Sequence, residues 1–293
     1  MRDDVSVVVV SYNALPWLER SLDSVRGYDT IVVDNGSTDG SVELVRDRFP
    51  GVRVIEQDNR GMGGGNNTGM RAAHGRYFFL LNSDAWAVGD AIETLARYAD
   101  EHPEAALVAP RLRNPDGTLQ RSVRGDPTVW RLATEYLFIR KLAPRSSRLN
   151  PLYAGGFDHD STREVEWLQG AALLVRREAA DAVGLFDEDF FMFSEETDWM
   201  YRFRQAGWKV VFHPEAEVVH VGGASHGGRM YVENLRSHLR FTAKHRGWKE
   251  AERVRRLLLV SLRLRSLVFR GERGAVYREG VRFLSSGSAR TLI

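Results

Sequence analysis

The sequence predicts an α/β fold built on a doubly wound, mostly parallel central sheet, with a helical extension at the C-terminus. Short apolar runs such as Val5–Val10 and Tyr77–Leu81 contain no charged residue, which is typical of strands buried on both faces. Apolar residues at helical spacing follow these runs after short connections. This alternation is the pattern of parallel strands joined by helices.

The first 110 residues alternate strand and helix throughout. Each predicted strand ends at polar or turn-forming residues, and the runs are Val5–Val10, Thr30–Val33, Val52–Ile55, Tyr77–Leu81 and Ala106–Val108. Helical spacing predicts helices between them, for example over Ala91–Tyr98. The Gly- and Asn-rich segment Gly61–Gly69 predicts a loop, followed by a short helix that ends at His74.

The pattern is weaker in the second half of the chain. Residues 111–163 contain several prolines among basic residues and predict loops and short elements. Beyond them we predict strands at Ala171–Val175, Trp208–Phe212 and Val218–Val221, and helices over Glu178–Val183 and Thr197–Ala206. The predicted organisation has three parts: a first half at 1–110, a second half at 111–228 that belongs to the same domain, and a helical extension at 229–293.

Composition excludes several classes of protein. Hydrophobic residues at 43% and charged residues at 27% are ordinary for a globular protein. A net charge of +2 argues against a nucleic-acid partner, and the absence of Cys excludes disulfides, thiolate metal sites and Cys nucleophiles. No apolar run reaches the roughly 18 residues of a spanning helix. The apolar run near the N-terminus is too short for a signal peptide.

The last 45 residues differ in charge from the rest. From Lys249 to Ile293 there are 11 Lys and Arg against four Glu, a net charge of +7. Leu and Val residues lie between these Arg residues at helical spacing. The pattern favours a helix on an anionic membrane surface. The alternative is a helix that packs on the body of the protein and exposes a basic face.

Asp84 lies where the strand Tyr77–Leu81 would end. Ligands of open α/β sheets bind outside the carboxyl ends of the strands, so this carboxylate is a metal ligand, a ligand-binding acid, or the N-cap of a following helix. His220, after the late strand at Val218, could be a second ligand, or a structural histidine. Mg²⁺ or Mn²⁺ is the expected cofactor, because carboxylate and imidazole suit these cations and a diphosphate leaving group needs neutralisation.

Two further features in the first half could bind a ligand. Asp34, at a predicted strand end, could accept a hydrogen bond from a base or ribose, or could form an Asx turn. The segment Gly61–Gly69 could border a phosphate, although its spacing fits neither a dinucleotide fingerprint nor a P-loop. The functional interpretation that this spacing allows is a flexible loop bordering a ligand.

Three acids open the helix predicted over Thr197–Ala206. Glu195, Glu196 and Asp198 follow a dense acidic and aromatic run. Acids at a helix N-terminus are expected from the helix dipole alone. Crowded carboxylates beside apolar rings also have raised pKa values, which suits a general base.

Taken together, these segments resemble the family 2 inverting glycosyltransferases of GT-A fold, which have a Rossmann-like αβα sandwich. The resemblance covers roughly residues 5 to 225 and is closest to the rhamnosyltransferase-like group of cell-envelope polysaccharide synthesis. The matching segments are VSVVVVSYN, VVDNGSTDGS, NRGMGGGNNTGM, YFFLLNSDA, WLQGAALLVRRE, VGLFDEDFFMFSEETDWMYRFRQAGWKV and HPEAEVVHVGGAS.

The resemblance implies roles for matching positions. Residues that would border the nucleotide sugar are Ser11, Tyr12, Asn13, Asp34, Asn67, Asn82, Ser83 and Asp84. Asp84 and His220 would hold the metal, and Glu196 would be the catalytic base. Residues that would face the acceptor are Trp167, Gln169 and Gly170. Two departures from the family pattern are Asn82, where an acid is usual, and Glu196, where Asp is usual, so Glu195 and Asp198 stay alternative bases.

The implied activity is transfer of a sugar from a nucleoside-diphosphate donor to a hydroxyl of a glycan or lipid-linked acceptor. Rhamnose is the expected sugar by group similarity. The expected location is cytoplasmic and peripheral, on the inner face of the cell membrane. The alternatives are a sugar nucleotidyltransferase, which the lack of basic residues in Ser11–Pro16 disfavours, and an inactive carbohydrate-binding or scaffold protein.

Overall fold

A computed structural model describes residues 4–222 and 228–292. The last three residues of the predicted segment HPEAEVVHVGGAS lie outside these ranges. The strands are β1 (Val5–Ser11), β2 (Asp29–Asp34), β3 (Arg53–Glu56), β4 (Tyr77–Asn82), β5 (Ala85–Val88), β6 (Ala105–Arg113), β7 (Leu119–Gln120), β8 (Val123–Arg124), β9 (Arg163–Glu164), β10 (Trp167–Leu168), β11 (Ala172–Arg176) and β12 (Lys209–His220). The α-helices are α1 (Leu15–Asp23), α2 (Ser41–Arg48), α3 (Gly61–Ala72), α4 (Ala91–Glu101), α5 (Val129–Tyr136), α6 (Arg177–Val183), α7 (Glu195–Gln205), α8 (Gly228–Arg246), α9 (Trp248–Val268), α10 (Gly271–Ser285) and α11 (Gly287–Arg290).

The central sheet is mixed and mostly parallel, as predicted. Its main strand order is β3-β2-β1-β4-β11-β6-β12-β5. Neighbours in β3-β2-β1-β4 are parallel, and so are β6 and β12. Strand β11 lies between these two groups and runs antiparallel to both β4 and β6. Strand β5 is antiparallel to β12.

The reversed direction of β11 gathers chain segments at one edge of the sheet. Leu81, near the carboxyl end of β4, pairs with Ala172, the first residue of β11. His220, the last residue of β12, pairs with Ala85, the first residue of β5. The residues before β11 therefore meet the carboxyl ends of β4 and β12 at the same edge.

Helices pack on both faces of this sheet. On one face, Val7 and Val9 of β1 belong to a buried cluster with Leu18 of α1 and Leu95 of α4. Side chains alternate along a strand, so Val8 and Val10 point to the other face. There α3 packs against β1 through Gly65 and Gly69, whose positions bring the helix close to these two valines.

The Gly-rich segment is a helix, so the loop predicted over Gly61–Gly69 is wrong. Gly61, Gly65 and Gly69 are four residues apart and lie on one side of α3. A Cβ at Gly69 would lie 2.2 Å from Val8 Cγ1, and one at Gly65 would lie 2.7 Å from Val10 Cγ1. Glycine is needed at these positions because the helix axis lies too close to the strand for any side chain.

Three other local predictions also need correction. Asp84 is not a helix N-cap, because the turn that contains it leads into β5. The two predicted late strands form one irregular strand, Lys209–His220, with a register shift between His213 and Glu217. The region 111–163 contains the amphipathic helix α5, whose Thr128 accepts a capping hydrogen bond from the Arg131 N–H.

The chain divides into a sheet unit and a helical unit. Described residues 4–123, 158–191 and 195–222 form the sheet unit, and 124–157, 192–194 and 228–292 form the helical unit. A buried cluster in the helical unit includes Leu132 of α5, Leu239 of α8, Leu258 of α9 and Leu284 of α10. Residues 124–157 therefore share a core with the C-terminal helices. The three-part division predicted from the sequence stays a prediction.

Candidate active site

The turn after β4 places Asp84 against the end of β12. Its Oδ2 accepts a hydrogen bond of 3.0 Å from the Gly222 N–H, and its Oδ1 lies 3.4 Å from His220 Nε2. The Val221 N–H also donates to the Asp84 carbonyl, at 3.0 Å. The two metal ligands predicted from the sequence are thus neighbours in the fold.

The surroundings of Asp84 favour its ionised form. Burial raises the pKa of the Asp84 carboxyl, but the contact with His220 and the hydrogen bond from Gly222 outweigh this, so its pKa lies below the ordinary value of 3.8. His220 is 4% exposed. A partly buried negative charge beside an imidazole is a suitable place for a cation.

The residues around Asp84 fit a divalent cation that takes further ligands from its substrate. Asn82 Nδ2 lies 3.4 Å from His220 Nε2, so an amide, an imidazole and a carboxylate meet here. In residues 4–222 and 228–292 there is no cluster of three His, Cys, Asp or Glu side chains able to enclose a metal. Mg²⁺ and Mn²⁺ commonly complete such open sites with substrate phosphates and water.

Gln120 is a residue of this site that sequence reasoning missed. Its Oε1 lies 2.7 Å from His220 Nδ1, and its Nε2 donates to the His220 carbonyl at 3.2 Å. The signal was present: Asn114-Pro115-Asp116-Gly117-Thr118 is a typical turn sequence between two short strands, and it forms the hairpin of β6 and β7. The prediction of loops and short elements over residues 111–163 did not identify this hairpin.

Ala171, which directly follows the predicted acceptor residues, is hydrogen-bonded to Asn82. The Asn82 N–H donates to the Ala171 carbonyl at 3.0 Å, and the Gln169 N–H donates to Ser122 at 3.0 Å. A Cβ at Gly170 would lie 3.6 Å from Glu196 Cβ and Cγ. Glu196, at the start of α7, is therefore one short segment away from the Asp84 and His220 pair. Trp167, in β10, is half-buried.

The other two acids at the start of α7, Asp198 and Glu195, are buried against neighbouring helices. Asp198 is fully buried, and its Oδ2 accepts a hydrogen bond of 2.8 Å from Arg202 Nε. Arg202 also donates to the carbonyls of Val183 and Leu185, so this ion pair fixes α7 to the end of α6. Glu195 is 6% exposed and lies against α3, 3.6 Å from the Cβ position of Gly63.

The ends of β1 and β2 are joined by hydrogen bonds between their exit loops. Asn13 Oδ1 accepts from the Thr38 N–H at 2.9 Å, and the Asn13 N–H donates to Ser37 Oγ at 2.9 Å. Asp34 Oδ2 accepts from the Gly36 N–H at 3.1 Å, as in an Asx turn, and also from the Ser37 N–H at 2.8 Å. Ser11 is buried and Tyr12 is 54% exposed, which leaves the Tyr12 ring able to stack on a base. Ser83 lies in the turn before Asp84.

Asn67 ties α3 to the segment before α7. It is 1% exposed, and its Nδ2 donates to the Phe186 carbonyl and to Glu188 Oε1, both at 2.9 Å. Its Oδ1 accepts from the Phe186 N–H at 2.9 Å. The Asn67 amide thus fixes α3 to this segment, and its contact with the donor stays a prediction.

The sequence is similar to those of characterised and named glycosyltransferases. It is 34% identical over 297 residues to an N-acetylglucosaminyl-diphospho-decaprenol L-rhamnosyltransferase of Mycobacterium tuberculosis, a match that covers 91% of this chain and 92% of that protein. It is 29% identical over 222 residues to a pre-mycofactocin glycosyltransferase of the same species, covering 74% of this chain and 42% of that protein. These similarities favour glycosyl transfer over the nucleotidyltransferase and scaffold alternatives.

Solved structures share the fold at low sequence identity. A mannosyltransferase from Pyrobaculum calidifontis in complex with GDP-Man and Mn²⁺ has a TM-score of 0.58 at 16% identity, covering 99% of this chain and 83% of that one. GalNAc-T7 with UDP, GalNAc and Mn²⁺ has a TM-score of 0.60 at 16% identity, covering 95% and 54%. The predicted GT-A fold is confirmed. The model of the family described as Glycosyl transferase family 2 matches residues 6–181, and this chain belongs to that family of glycosyltransferases.

Proposed function

We propose that this glycosyltransferase transfers L-rhamnose, with inversion, from a nucleoside-diphosphate donor to a hydroxyl of a lipid-linked N-acetylglucosaminyl-diphosphate acceptor. Support for the sugar and the acceptor comes from the mycobacterial rhamnosyltransferase, which is similar over nearly the whole length of both chains. The donor would lie along the carboxyl ends of β1, β2 and β4, where ligands of open α/β sheets bind.

One observation supports the catalytic assignment above all others. Glu196 contacts the Gly170 position, the next residue, Ala171, accepts a hydrogen bond from Asn82, and Asn82 lies beside His220. A base, an acceptor-facing segment and a pair of cation ligands are therefore contiguous. Such an arrangement suits attack by an acceptor oxygen opposite a leaving diphosphate.

The chain's own residues account for binding and proton transfer. The Glu196 carboxylate accepts the proton of the attacking acceptor hydroxyl, so that the oxygen can attack the anomeric carbon. Asp84 and His220 would hold Mg²⁺ or Mn²⁺, with the Asn82 amide beside them. A bound divalent cation neutralises charge that develops on the leaving diphosphate. Tyr12 would cover the nucleotide base.

Glu196→Gln tests the assignment of the base. We expect transfer to fall by about 10²- to 10⁴-fold, the usual contribution of a general base, with donor binding unchanged. Glu195→Gln is the matched control, since it removes the neighbouring carboxylate that faces α3. Transfer and donor affinity would be measured separately, by product formation and by titration with the nucleoside diphosphate. Loss of transfer in Glu195→Gln with activity retained in Glu196→Gln would assign the base to Glu195.

A donor and acceptor panel tests the substrate proposal. The purified protein would be offered dTDP-rhamnose, UDP-N-acetylglucosamine and GDP-mannose with a lipid-linked N-acetylglucosaminyl diphosphate. We expect release of nucleoside diphosphate with the rhamnose donor, and a product whose anomeric configuration, read by NMR, is opposite to that of the donor. Retention of configuration, or preference for another donor, would contradict the proposal.

A membrane surface is the second partner that we propose, through helix α9. Its inward side includes the buried residues Val254, Leu258 and Leu262, and its outward side exposes Leu264, Leu267 and other residues at helical spacing. Exposed fractions on the outward side are 53% for Val260, 54% for Leu264, 80% for Leu267 and 74% for Val268.

Basic residues share this outward side of α9. Arg253 and Arg256 lie about two turns and one turn before Val260, respectively, and have side-chain exposures of 73% and 74%. Arg263 is also exposed. Exposed apolar residues flanked by Arg suit an interface with anionic lipid, where a lipid-linked acceptor would also be found. None of the helices in residues 4–222 and 228–292 combines the length and apolar character needed to cross a membrane.

Substitution of surface residues is the cleaner test of membrane binding, because deleting the tail would also remove the core residues Leu258 and Leu262. The variant Leu264→Ser/Leu267→Ser/Val268→Ser should bind vesicles containing anionic lipid at least about tenfold more weakly. Trp248→Ser is the control, since Trp248 is 62% exposed on the same helix but does not lie beside Leu264, Leu267 and Val268 on its outward side. Unchanged co-sedimentation of the triple variant would refute the membrane proposal.

A further inference from the structure

The contacts of His220 on the side away from Asp84 form a chain of hydrogen bonds with a fixed direction. The chain begins at Asp116, whose Oδ1 accepts from Thr118 Oγ1 at 2.6 Å. An ionised carboxylate can accept hydrogen bonds but cannot donate them. The single hydroxyl proton of Thr118 is therefore directed to Asp116, and Thr118 Oγ1 has its lone pairs left for another donor.

That direction sets the orientation of the next amide. Asn114 lies with one end of its amide 2.9 Å from Thr118 Oγ1, so that end must be the donor, Nδ2. Its Oδ1 then faces Gln120 and accepts from Gln120 Nε2 at 2.9 Å. Three residues of one hairpin are thus ordered as donor and acceptor in a single sense.

A second contact fixes the Gln120 amide independently. Gln120 Nε2 also lies 3.2 Å from the His220 carbonyl oxygen, which can only accept. A flipped amide would place Gln120 Oε1 against two oxygens, with no proton between them. Gln120 Oε1 therefore faces His220 Nδ1, at 2.7 Å, and Nδ1 must be the donor.

We propose that Gln120 is a positioning residue that holds the proton of His220 on Nδ1, so that the Nε2 lone pair faces Asp84 and is available to a divalent cation. In a neutral imidazole one nitrogen donates and the other accepts, so the acceptor at Nδ1 decides which nitrogen can bind a metal. An acceptor on the far nitrogen also fixes the ring orientation and strengthens the imidazole as a ligand. The position of the proton on Nδ1 follows from the hydrogen bonds alone, whereas binding of a cation at Nε2 rests on the proposed function.

The short distance between Nε2 and the carboxylate requires a positive charge at this point when Nδ1 holds the proton. His220 Nε2 lies 3.4 Å from Asp84 Oδ1, so a lone pair and a negative charge face one another when Nδ1 holds the proton. These groups repel unless a positive charge lies between them. The acceptor that Gln120 presents to Nδ1 thus leaves a position for a cation at the strand end.

Two substitutions at position 120 separate positioning from simple packing. Gln120→Met keeps the length of the side chain and removes the acceptor at Nδ1. Gln120→Glu keeps an acceptor there. We expect Gln120→Met to weaken Mn²⁺ binding in the presence of a nucleoside diphosphate by about 10- to 100-fold. Gln120→Glu should weaken it less than Gln120→Met does, because an acceptor remains at Nδ1 although the donor to the His220 carbonyl is lost.

The control for these variants is at the far end of the hairpin. Thr118→Val removes the hydroxyl between Asp116 and Asn114, but the His220 carbonyl still orients Gln120. We expect Mn²⁺ affinity within about twofold of the parent protein. His220→Gln gives the reference for complete loss of the ligand. If His220→Gln weakens Mn²⁺ binding and Gln120→Met does not, the positioning role is refuted.

The tautomer can be read without any metal. ¹⁵N NMR of the metal-free protein distinguishes protonated from unprotonated ring nitrogens, and the resonances of His220 are identified by their loss in His220→Gln. With the ring neutral, we expect the proton on Nδ1 in the parent protein and in Gln120→Glu, and a shift towards Nε2 in Gln120→Met. A proton on Nε2 in the parent protein would overturn the proposal. If His220→Gln leaves Mn²⁺ binding intact while the tautomer is as stated, the proposed cation site fails and the positioning role stands.

Discussion

Two histidines, His220 in the sheet unit and His238 in the helical unit, show how differently burial acts with and without partners. His220 has a neighbour at each ring nitrogen, Gln120 Oε1 on one side and Asp84 Oδ1 on the other. His238 lies on α8 with its Nδ1 closed off from solvent, and the described residues give that nitrogen no hydrogen-bond partner. The ring of Tyr136 lies edge-on, with 6.3 Å between ring centroids.

The consequences for protonation differ accordingly. Burial alone lowers the pKa of His238 to about 4, because the charged ring loses solvation and gains no compensating contact. His220 has a directed environment, in which one nitrogen meets an acceptor and the other a carboxylate. Burial of a histidine is therefore weak evidence for a functional role, whereas polar partners from distant parts of the chain are strong evidence.

The largest effect is expected at the carboxylate that faces His220. Asp84→Asn keeps an oxygen for the Gly222 N–H and removes the negative charge, so we expect transfer to fall by about 10³-fold and Mn²⁺ affinity to fall with it. Asp34→Asn is the control, since Asp34 accepts hydrogen bonds from its own turn. Activity and Mn²⁺ binding would be measured for both variants. Equal loss of Mn²⁺ affinity in both would mean that Asp84 is not a metal ligand.

A smaller effect is expected on stability at acid pH, from His238. The unfolded chain takes up a proton on this ring as pH falls below about 6.5, whereas the folded ring stays neutral down to about pH 4. The depressed pKa therefore has no effect on stability above about pH 6.5, where the ring is neutral in both states, and it lowers stability as pH falls from 6.5 to 4. Part of His238 remains accessible, so we expect about 2 kcal/mol rather than the full shift.

His238→Phe should remove this acid sensitivity. Urea unfolding at pH 7 and pH 4 would show a loss of stability between the two that is smaller by about 2 kcal/mol in the variant. Transfer activity at neutral pH should change little, in contrast to His220→Gln. His74→Gln, at an exposed histidine, is the control and should leave the difference unchanged. An unaltered pH dependence in His238→Phe would show that another group titrates.

The smallest effect is expected at Gly222, which supplies the N–H bound to Asp84. Its φ of +65° suits glycine, and an added Cβ would lie 3.3 Å from His220 Cε1. Gly222→Ala should weaken Mn²⁺ binding and transfer by about tenfold, in addition to the roughly 1–2 kcal/mol cost of the backbone conformation. Gly207→Ala is a matched control, with φ of +87° and no atom within 4 Å of its Cβ position. Equal losses of Mn²⁺ affinity in both would show that strain alone is responsible.

Local pattern predicted most of the fold. Strands β1, β2 and β4 are predictable from apolar runs because burial on both faces requires them, and Asp84 follows the end of β4. Strand β5 was not predicted, and β3 lies at the edge of the sheet with exposed ends. The helix α3 was not predicted because its glycines are also loop formers. Gly65 and Gly69, four residues apart, are nevertheless the pattern of a helix that packs closely on a strand, and Gly61 packs in the same way on the backbone of Phe191.

The partners within the site could not be predicted from local pattern. Asp84 meets Gly222, Gln120 meets His220, and Glu196 meets Gly170, and each pair is joined by the order of strands in the sheet. Resemblance to a family supplied Asp84, His220 and Glu196 as candidates. It did not supply Gln120, whose role depends on a hairpin that brings a neutral amide to one side of an imidazole ring.

The antiparallel strand β11 has a consequence for the order of events during synthesis. The strands β3, β2, β1 and β4 come from the first 82 residues and can pair as soon as those residues leave the ribosome, but β4 keeps one hydrogen-bonding edge open until β11 emerges. At about 5 to 20 residues per second, that interval is on the order of 10 s. An open edge of apolar strand is prone to pair with other chains. The nascent protein thus has a period of aggregation risk, which ends when β11 closes that edge.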